Sequence, residues 1–353
     1  LATYYRLHLR ARLPFRLLRT LARFPCPHGD ALAAGVWAAA DWDTWLPPEA
    51  SLRVDASGAT PALPHSHYSA LAVKNALVDH QRQRWGRRSS VDRDDPDLAL
   101  HLHLHHDRRT GLSEAVLSLD GGGGASLHRR GYRSAVGAAP LKENLAAGLI
   151  ALTGWDGTVP LVDPMCGSGT LVIEAAAMAL GLPAGVVQGE PRGFCLRRWP
   201  DFDAALWQRE LVAACGPMPR RTLPPLLGLE RDPAVLDQAI GNAERAGVAA
   251  HIRFERGDAR DLSPPPGSGL VVVNPPYGAR LGADEDLASL YADLGQVLRQ
   301  RCGGWTLWLL SGNPELTGAL RLKASRRVPV SNGGIDCRWL RYELRAPEPR
   351  TAL

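Results

Sequence analysis

The chain reads as an α/β protein in two parts, an N-terminal α+β module followed by a doubly wound, mostly parallel sheet. Three observations carry this expectation. At 353 residues the chain exceeds what one core comfortably organises. Hydrophobic residues at 45% and charged residues at 22% are ordinary globular composition. Mixed short patterns up to about residue 133 give way to a regular alternation of apolar runs and amphipathic stretches.

In the first part, an Arg-punctuated helix is expected over Tyr4 to Phe24 and a second over Ser69 to Arg84. Strands follow over Ala99 to His105 and Ala115 to Leu119, then a glycine turn at Gly121 to Gly124. The boundary falls near residue 134, giving expected domains 1–133 and 134–353. A helix beginning within Ala138 to Leu145 opens the second part. Strand Val159 to Asp163, helix Thr170 to Leu180, strand Leu226 to Glu230 and helix Pro233 to Ala246 come next. Strands Ile252 to Glu255 and Leu270 to Val273, helix Asp286 to Arg301 and strand Trp305 to Leu310 continue the rhythm. Two last runs, Arg326 to Val330 and Arg338 to Leu344, would close the sheet as a hairpin. Between Gly181 and Pro225 lies a Pro- and Trp-bearing insertion.

Charge divides along the chain. Residues 1–133 hold 18 basic against 13 acidic side chains and the remainder 23 against 23, which suggests a phosphate-facing module beside a neutral catalytic one. Because 38 of the 41 basic residues are Arg, plain compositional bias is an equal reading of this pattern. The six cysteines are scattered without a CxxC pair, so reduced thiols and a cytoplasmic location are expected. No run approaches the roughly 18 apolar residues of a membrane span, and the N-terminus does not read as a signal peptide. Leu1 stands where a methionine is usual, and the sequence is expected to be a fragment.

Four loops carry the chemistry. Asp163-Pro-Met-Cys-Gly-Ser-Gly-Thr170 joins a strand to a helix; Gly167 and Gly169 permit close backbone approach, and the helix N-terminus offers free N–H groups to a small anion. It lacks the Gly-Lys-Ser/Thr of a phosphate loop and the GxGxxG spacing, and a plain β–α turn is the alternative. Glu230, with Arg231 beside it, ends the next strand and can accept both hydroxyls of a ribose. Asp258, followed by Ala259, can accept an adenine amino group. An acid after a strand is more often a helix-start charge, and it is the order of the loops that raises the odds. In Leu270-Val-Val-Val-Asn-Pro-Pro-Tyr-Gly278, Pro275 and Pro276 fix an extended turn that presents carbonyls. Asn274 Oδ1 and the Pro275 carbonyl can accept the two hydrogens of an exocyclic amine, and Tyr277 offers a stacking face. A conjugated amine is a poor nucleophile, so two acceptors that pyramidalise it and aim its lone pair at a sulfonium methyl do most of the work.

These loops resemble motifs I and IV of class I amino-methyltransferases. Together with Gly131-Tyr-Arg133, Ala139-Pro-Leu-Lys-Glu-Asn-Leu-Ala146, Asn332-Gly-Gly-Ile-Asp-Cys337 and Val91-Asp-Arg-Asp-Asp-Pro-Asp97, they resemble the THUMP-containing 23S rRNA guanine-N2-methyltransferases, the RlmL family, through nearly the whole chain. The resemblance implies a Rossmann-like seven-stranded sheet preceded by an α+β THUMP domain that holds structured RNA. It implies S-adenosylmethionine as cofactor, with Asp163, Pro164, Cys166, Gly167, Ser168, Gly169 and Thr170 at its methionine end. Glu230 and Arg231 would take the ribose, Asp258 and Ala259 the adenine. Asn274, Pro275, Pro276 and Tyr277 would hold a flipped-out guanine of 23S rRNA, free or within a ribosome-assembly intermediate. Against the family, this chain is expected to lack part of the N-terminal segment and the second methyltransferase domain that some members carry.

Other readings stay open. Adenine N6 in DNA and a protein glutamine amide use the same turn, and a non-catalytic RNA-binding assembly factor could retain the fold. His101, His103 and His105 alternate on one strand face, where three polar residues facing solvent suffice, so no metal is expected. Cys166 is expected to be an inert packing residue, and Trp199 and Trp207 buried anchors. The clusters Arg82 to Arg88 and Arg129 to Arg133 are read as phosphate contacts or solvated arginines with equal weight.

Overall fold

The computed structural model describes residues 1–124, 126–133, 141–216, 222–277 and 286–345. Contacts divide the chain into two units, Leu1–Leu127 with Pro191–Ala214, and His128–Glu190 with Cys215–Leu353.

The first unit runs α1 (Ala2–Arg10), β1 (Leu18–Pro25), α2 (Gly29–Ala38), α3 (Trp42–Trp45), β2 (Leu52–Gly58), α4 (Ser66–Trp85), β3 (Leu98–His106) and β4 (Ser113–Asp120). The single helix expected over Tyr4 to Phe24 is instead α1 and β1. Pro14 cannot continue the helical ladder, and Leu18–Pro25 finds its backbone partners on β4, antiparallel from Leu18 opposite Asp120 to Pro25 opposite Glu114. The sheet order is β1-β4-β3-β2, with β3 and β2 parallel. In α4, Ser69, Val73, Leu77 and Gln81 recur every four residues on the buried face, and Gly86 ends the helix at φ 64.

Along β3 the leucines Leu98, Leu100, Leu102 and Leu104 are buried, while His103 and His105 are exposed and His101 is half-buried. Ser57 Oγ lies 3.0 Å from His101 Nε2 and 2.9 Å from His103 Nδ1. Among the described residues no group of three His, Cys, Asp or Glu side chains could hold a metal ion.

Of the insertion, Pro191–Ala214 joins this first unit. Its helix α7 (Ala204–Cys215) places Trp207 edge-on to Tyr5 at 5.4 Å, and Trp199 stacks on Tyr4 at 5.9 Å. Cys195 Sγ donates to the Asp120 carbonyl at 3.0 Å, and Arg6 pairs bidentately with Glu210 at 2.9 Å. Both tryptophans are buried anchors, as expected. The charge asymmetry shrinks accordingly. With its insertion the first unit holds 19 basic against 16 acidic residues, and the second 22 against 20.

In the second unit α5 (Glu143–Thr153) precedes β5 (Leu161–Asp163) and α6 (Thr170–Ala179). After the insertion come β6 (Leu226–Glu230), α8 (Pro233–Arg245), β7 (Arg253–Arg256) and β8 (Leu270–Val273). The chain continues with α9 (Leu287–Arg301), β9 (Thr306–Ser311), α10 (Pro314–Ala319), β10 (Arg326–Asn332) and β11 (Ile335–Glu343). Among the described residues these strands form one seven-stranded sheet, order β10-β11-β9-β8-β5-β6-β7. The neighbours from β9 through β7 are parallel, and the closing hairpin β10–β11 is antiparallel. Both faces are apolar. Leu161, Leu226, Val272 and Trp308 join Ala146, Ile150 and Ile173 in one core, whereas Val162, Leu227, Val271 and Leu309 join Tyr291, Leu294 and Leu298 in the other. That two-sided burial is why these strands read as uninterrupted apolar runs. Asp232 caps α8 by accepting from Ala234 and Val235, with Pro233 at the first position.

Candidate active site

Parallel register sets the four loops on one edge of the sheet. β8, β5, β6 and β7 are adjacent in that order, so the residues after Val273, Asp163, Glu230 and Arg256 leave from the same C-terminal ends.

The loop after β5 is held from several sides. Cys166 N–H donates to the Leu229 carbonyl at 2.8 Å, and Gly167 N–H donates to Glu230 Oε2 at 3.0 Å. Asn242 Nδ2 donates to the Ser168 carbonyl at 3.0 Å. Gly167 at φ 53 and Gly169 at φ 81 occupy the left-handed region, where a side chain is strained. A Cβ on Gly167 would meet nothing within 4 Å, whereas one on Gly169 would stand 3.1 Å from Ile173 and 3.2 Å from Ala239. Gly167 therefore borders open space and Gly169 is a packing contact. Pro164 and Cys166 are buried, and Ser168 is partly exposed. Burial pushes the Cys166 thiol well above its ordinary value, so it stays protonated.

Asp163 is 1% exposed. Burial pushes its carboxyl up to about 8 against the lowering effect of the Met165 N–H, which donates to Oδ1 at 3.1 Å; Glu230 adds repulsion. A cationic group arriving here would restore the carboxylate. Glu230 Oε1 accepts from Asp232 N–H at 3.0 Å, which with the Gly167 bond fixes both oxygens, while Arg231 is exposed. Asp258 accepts from Arg260 N–H at 2.9 Å and pairs with the Arg260 guanidinium at 3.3 Å. Ala259 is buried at the start of that turn.

After β8, Pro275 is buried and Pro276 is partly exposed, its carbonyl accepting from Tyr291 Oη at 3.1 Å. Asn274 Oδ1 is buried and has no hydrogen-bond partner among the described residues. An amide oxygen left unmatched costs about 1–3 kcal/mol. Tyr277 is partly buried, and its hydroxyl accepts from Asn332 Nδ2 at 2.7 Å. Gly278, and Ala139 and Pro140 of the second motif, lie outside the described residues.

The cluster Arg129 to Arg133 was read as phosphate contacts or solvated arginines with equal weight; Arg129 is exposed, but the structure corrects both readings for Arg130 and Arg133. Arg130 is 3% exposed and faces Glu174 at 3.5 Å. Arg133 donates to Thr170 Oγ1 at 2.7 Å and to the Leu141 carbonyl at 2.5 Å, and pairs with Glu143 at 3.2 Å. Arg133 thus ties the start of α6, which ends the first loop. Only its place in the Gly131-Tyr-Arg133 run that carries the family resemblance could have signalled this, because its partners lie up to 37 residues away.

A family model described as RMKL-like methyltransferase domain matches residues 130–341, and a THUMP domain model matches 36–113. The chain belongs to the RMKL-like methyltransferase family. Its catalytic domain is of the S-adenosylmethionine-dependent kind. A Synechocystis protein provisionally named RNA methyltransferase slr0064 is 42% identical over 97% of this chain and 86% of its own length. The ribosomal RNA large subunit methyltransferase K/L of Syntrophotalea carbinolica is 40% identical over 98% of this chain, and the chain spans 48% of that protein, about half its length. A crystal structure of a Clostridium difficile protein described as a possible methylase superimposes with TM-score 0.81 at 28% identity, covering 99% of this chain and 89% of that one. No helix among the described residues of this methyltransferase is long and apolar enough to cross a membrane.

Proposed function

We propose that this chain transfers the methyl group of S-adenosylmethionine to the exocyclic N2 of a guanine in large-subunit ribosomal RNA, in the cytoplasm. The observation that carries the reading is the buried, unmatched Oδ1 of Asn274 at the mouth of the Asn-Pro-Pro-Tyr turn. An exocyclic amine supplies the hydrogen this oxygen lacks, and the Pro275 carbonyl takes the second. Tyr277 carries the base plane.

The residues around the first loop suit the cofactor. Gly167 leaves room for its amino-acid end, and buried Asp163 gains an ammonium partner. Pro164, Cys166, Ser168, Gly169 and Thr170 shape that end, Glu230 with Arg231 faces the ribose, and Asp258 with Ala259 the adenine. Bound there, the cofactor supplies an electrophilic methyl on a sulfonium. Asn274 holds the amine so that its lone pair develops toward that methyl, and no strong base is needed. The THUMP domain at residues 36–113 supports an RNA substrate, as do the names of the relatives.

Nucleoside mass spectrometry of unmodified rRNA, DNA and protein, each incubated with enzyme and S-adenosylmethionine, tests the choice of substrate. N2-methylguanosine in RNA alone is expected. N6-methyladenine in DNA or methylated glutamine in protein would move the reading to those substrates, and no product together with no S-adenosylmethionine binding by calorimetry would favour a non-catalytic RNA-binding factor.

A further inference from the structure

The run Asn332-Gly-Gly-Ile-Asp-Cys337 has no part in the cofactor loops, yet it converges on the substrate turn. Gly333 at φ 62 and Gly334 at φ 88 make the two-residue turn between β10 and β11, with Asn332 paired opposite Ile335. Two positive φ angles are what a tight hairpin of this length demands. The turn places Asn332, 8% exposed, so that its Nδ2 donates to Tyr277 Oη at 2.7 Å, and Cys337 Sγ lies 3.7 Å from the same oxygen. Gly312, just after β9, meets the ring from another side. A Cβ there would stand 2.5 Å from Tyr277 Cδ2 and 2.7 Å from Cε2. Gly312 does not adopt the left-handed φ region, so the space taken by the ring, not backbone geometry, calls for glycine.

We propose that Asn332 is a positioning residue for methyl transfer: it pins the Tyr277 hydroxyl, with Cys337 and the bare Cα of Gly312 completing the seat, so that the ring offers a substrate base one fixed plane beside Asn274. The inference rests on the reading of Tyr277 as the base-stacking face. A hydroxyl tied to the hairpin leaves the ring, not the phenol, to meet substrate. A free Tyr277 would sample several rotamers, and only one presents the plane that aligns the amine with the methyl donor.

The test is a double-mutant cycle in steady-state methyl transfer to substrate RNA, using wild type, Asn332→Ala, Tyr277→Phe and the double variant. Losing one pinning hydrogen bond is expected to lower kcat about 5- to 30-fold in each single variant, with KM for S-adenosylmethionine changed less than about 2-fold. The double variant is expected to be no worse than either single one. Asn332→Asp is expected to recover most of the activity, because its carboxylate accepts from the tyrosine hydroxyl. Additive losses, or an Asn332→Ala enzyme that loses thermal stability while keeping kcat, would overturn the proposal. Fluorine NMR of protein labelled with 3-fluorotyrosine reads the seat without activity, the Tyr277 resonance being assigned by its absence in Tyr277→Phe. A resonance unmoved by Asn332→Ala removes the clamp itself. A resonance that shifts while kcat stays at the wild-type level removes the base-stacking role of Tyr277 instead.

Discussion

Asp163 illustrates how a buried carboxyl burdens the protein that carries it. Its carboxyl, raised from an ordinary 3.8 to about 8, keeps its proton in the folded state where the unfolded chain has lost it. The contribution of this group to stability is fully present below the ordinary value and is lost as pH rises through about 8. Asp163→Asn, neutral throughout, is therefore expected to melt higher than wild type at pH 8 without cofactor, by about 1–3 kcal/mol of stability, and to lose that advantage near pH 4. The variant is also expected to lose S-adenosylmethionine binding by calorimetry. Melting curves whose difference does not change with pH would show that Asp163 is not held against its charge. At this scale the sequence discloses residues whose chemistry is local. Asn274 between an apolar strand and two prolines, and the glycines of the first loop, announce themselves by type and spacing. Arg133 and Asn332 do not, since each acts through a partner far along the chain, Thr170 and Tyr277.

Elements were legible where burial imposed a period. Every strand of the seven-stranded sheet and the helices α6, α8 and α9 were readable as apolar runs or amphipathic stretches, the central strands because both of their faces are buried, whereas α10, six residues with none fully buried, was not. In the first unit β2 shows only Leu52 fully buried along its length, and α2 is built largely of small residues, so neither has a clear period. Local pattern also failed for β1, whose strand state is decided by pairing with β4, about a hundred residues later. The first loop and α6 form one device, since Gly169 is both the left-handed cap of α6 and a contact for Ile173, Ala239 and Phe254. Gly169→Ala is expected to cost about 1–3 kcal/mol of stability from strained backbone and crowding. It is also expected to weaken S-adenosylmethionine binding at least about tenfold, as calorimetry at matched folded fraction would show. Unchanged affinity would separate the packing role of Gly169 from the cofactor site.

Across the whole molecule, the largest revision concerns charge and chain order. The basic surplus of five placed before residue 134 falls to three in the first unit and two in the second once Pro191–Ala214 joins the first unit and Arg129, Arg130 and Arg133 join the second. Several arginines of the first unit are also committed to carboxylates, Arg16 to Asp55 and Asp120, Arg19 to Asp201 and Arg198 to Asp95. Net charge is thus a weak argument for RNA here, and the THUMP match is the stronger one. Cores interleaved in the chain, as with Trp199 and Trp207 against Tyr4 and Tyr5, are invisible to a linear reading because their periodicity is split over distant segments. The claim at the centre remains amine methylation at Asn274. Its most direct measurement is incorporation of labelled methyl from S-adenosylmethionine into unmodified 23S rRNA by wild type and by Asn274→Ala, at equal folded fraction. The variant is expected to fall by at least about 100-fold, the usual cost of removing one positioned polar group from a transition state, and equal incorporation by the two proteins would contradict a role of Asn274 in methyl transfer.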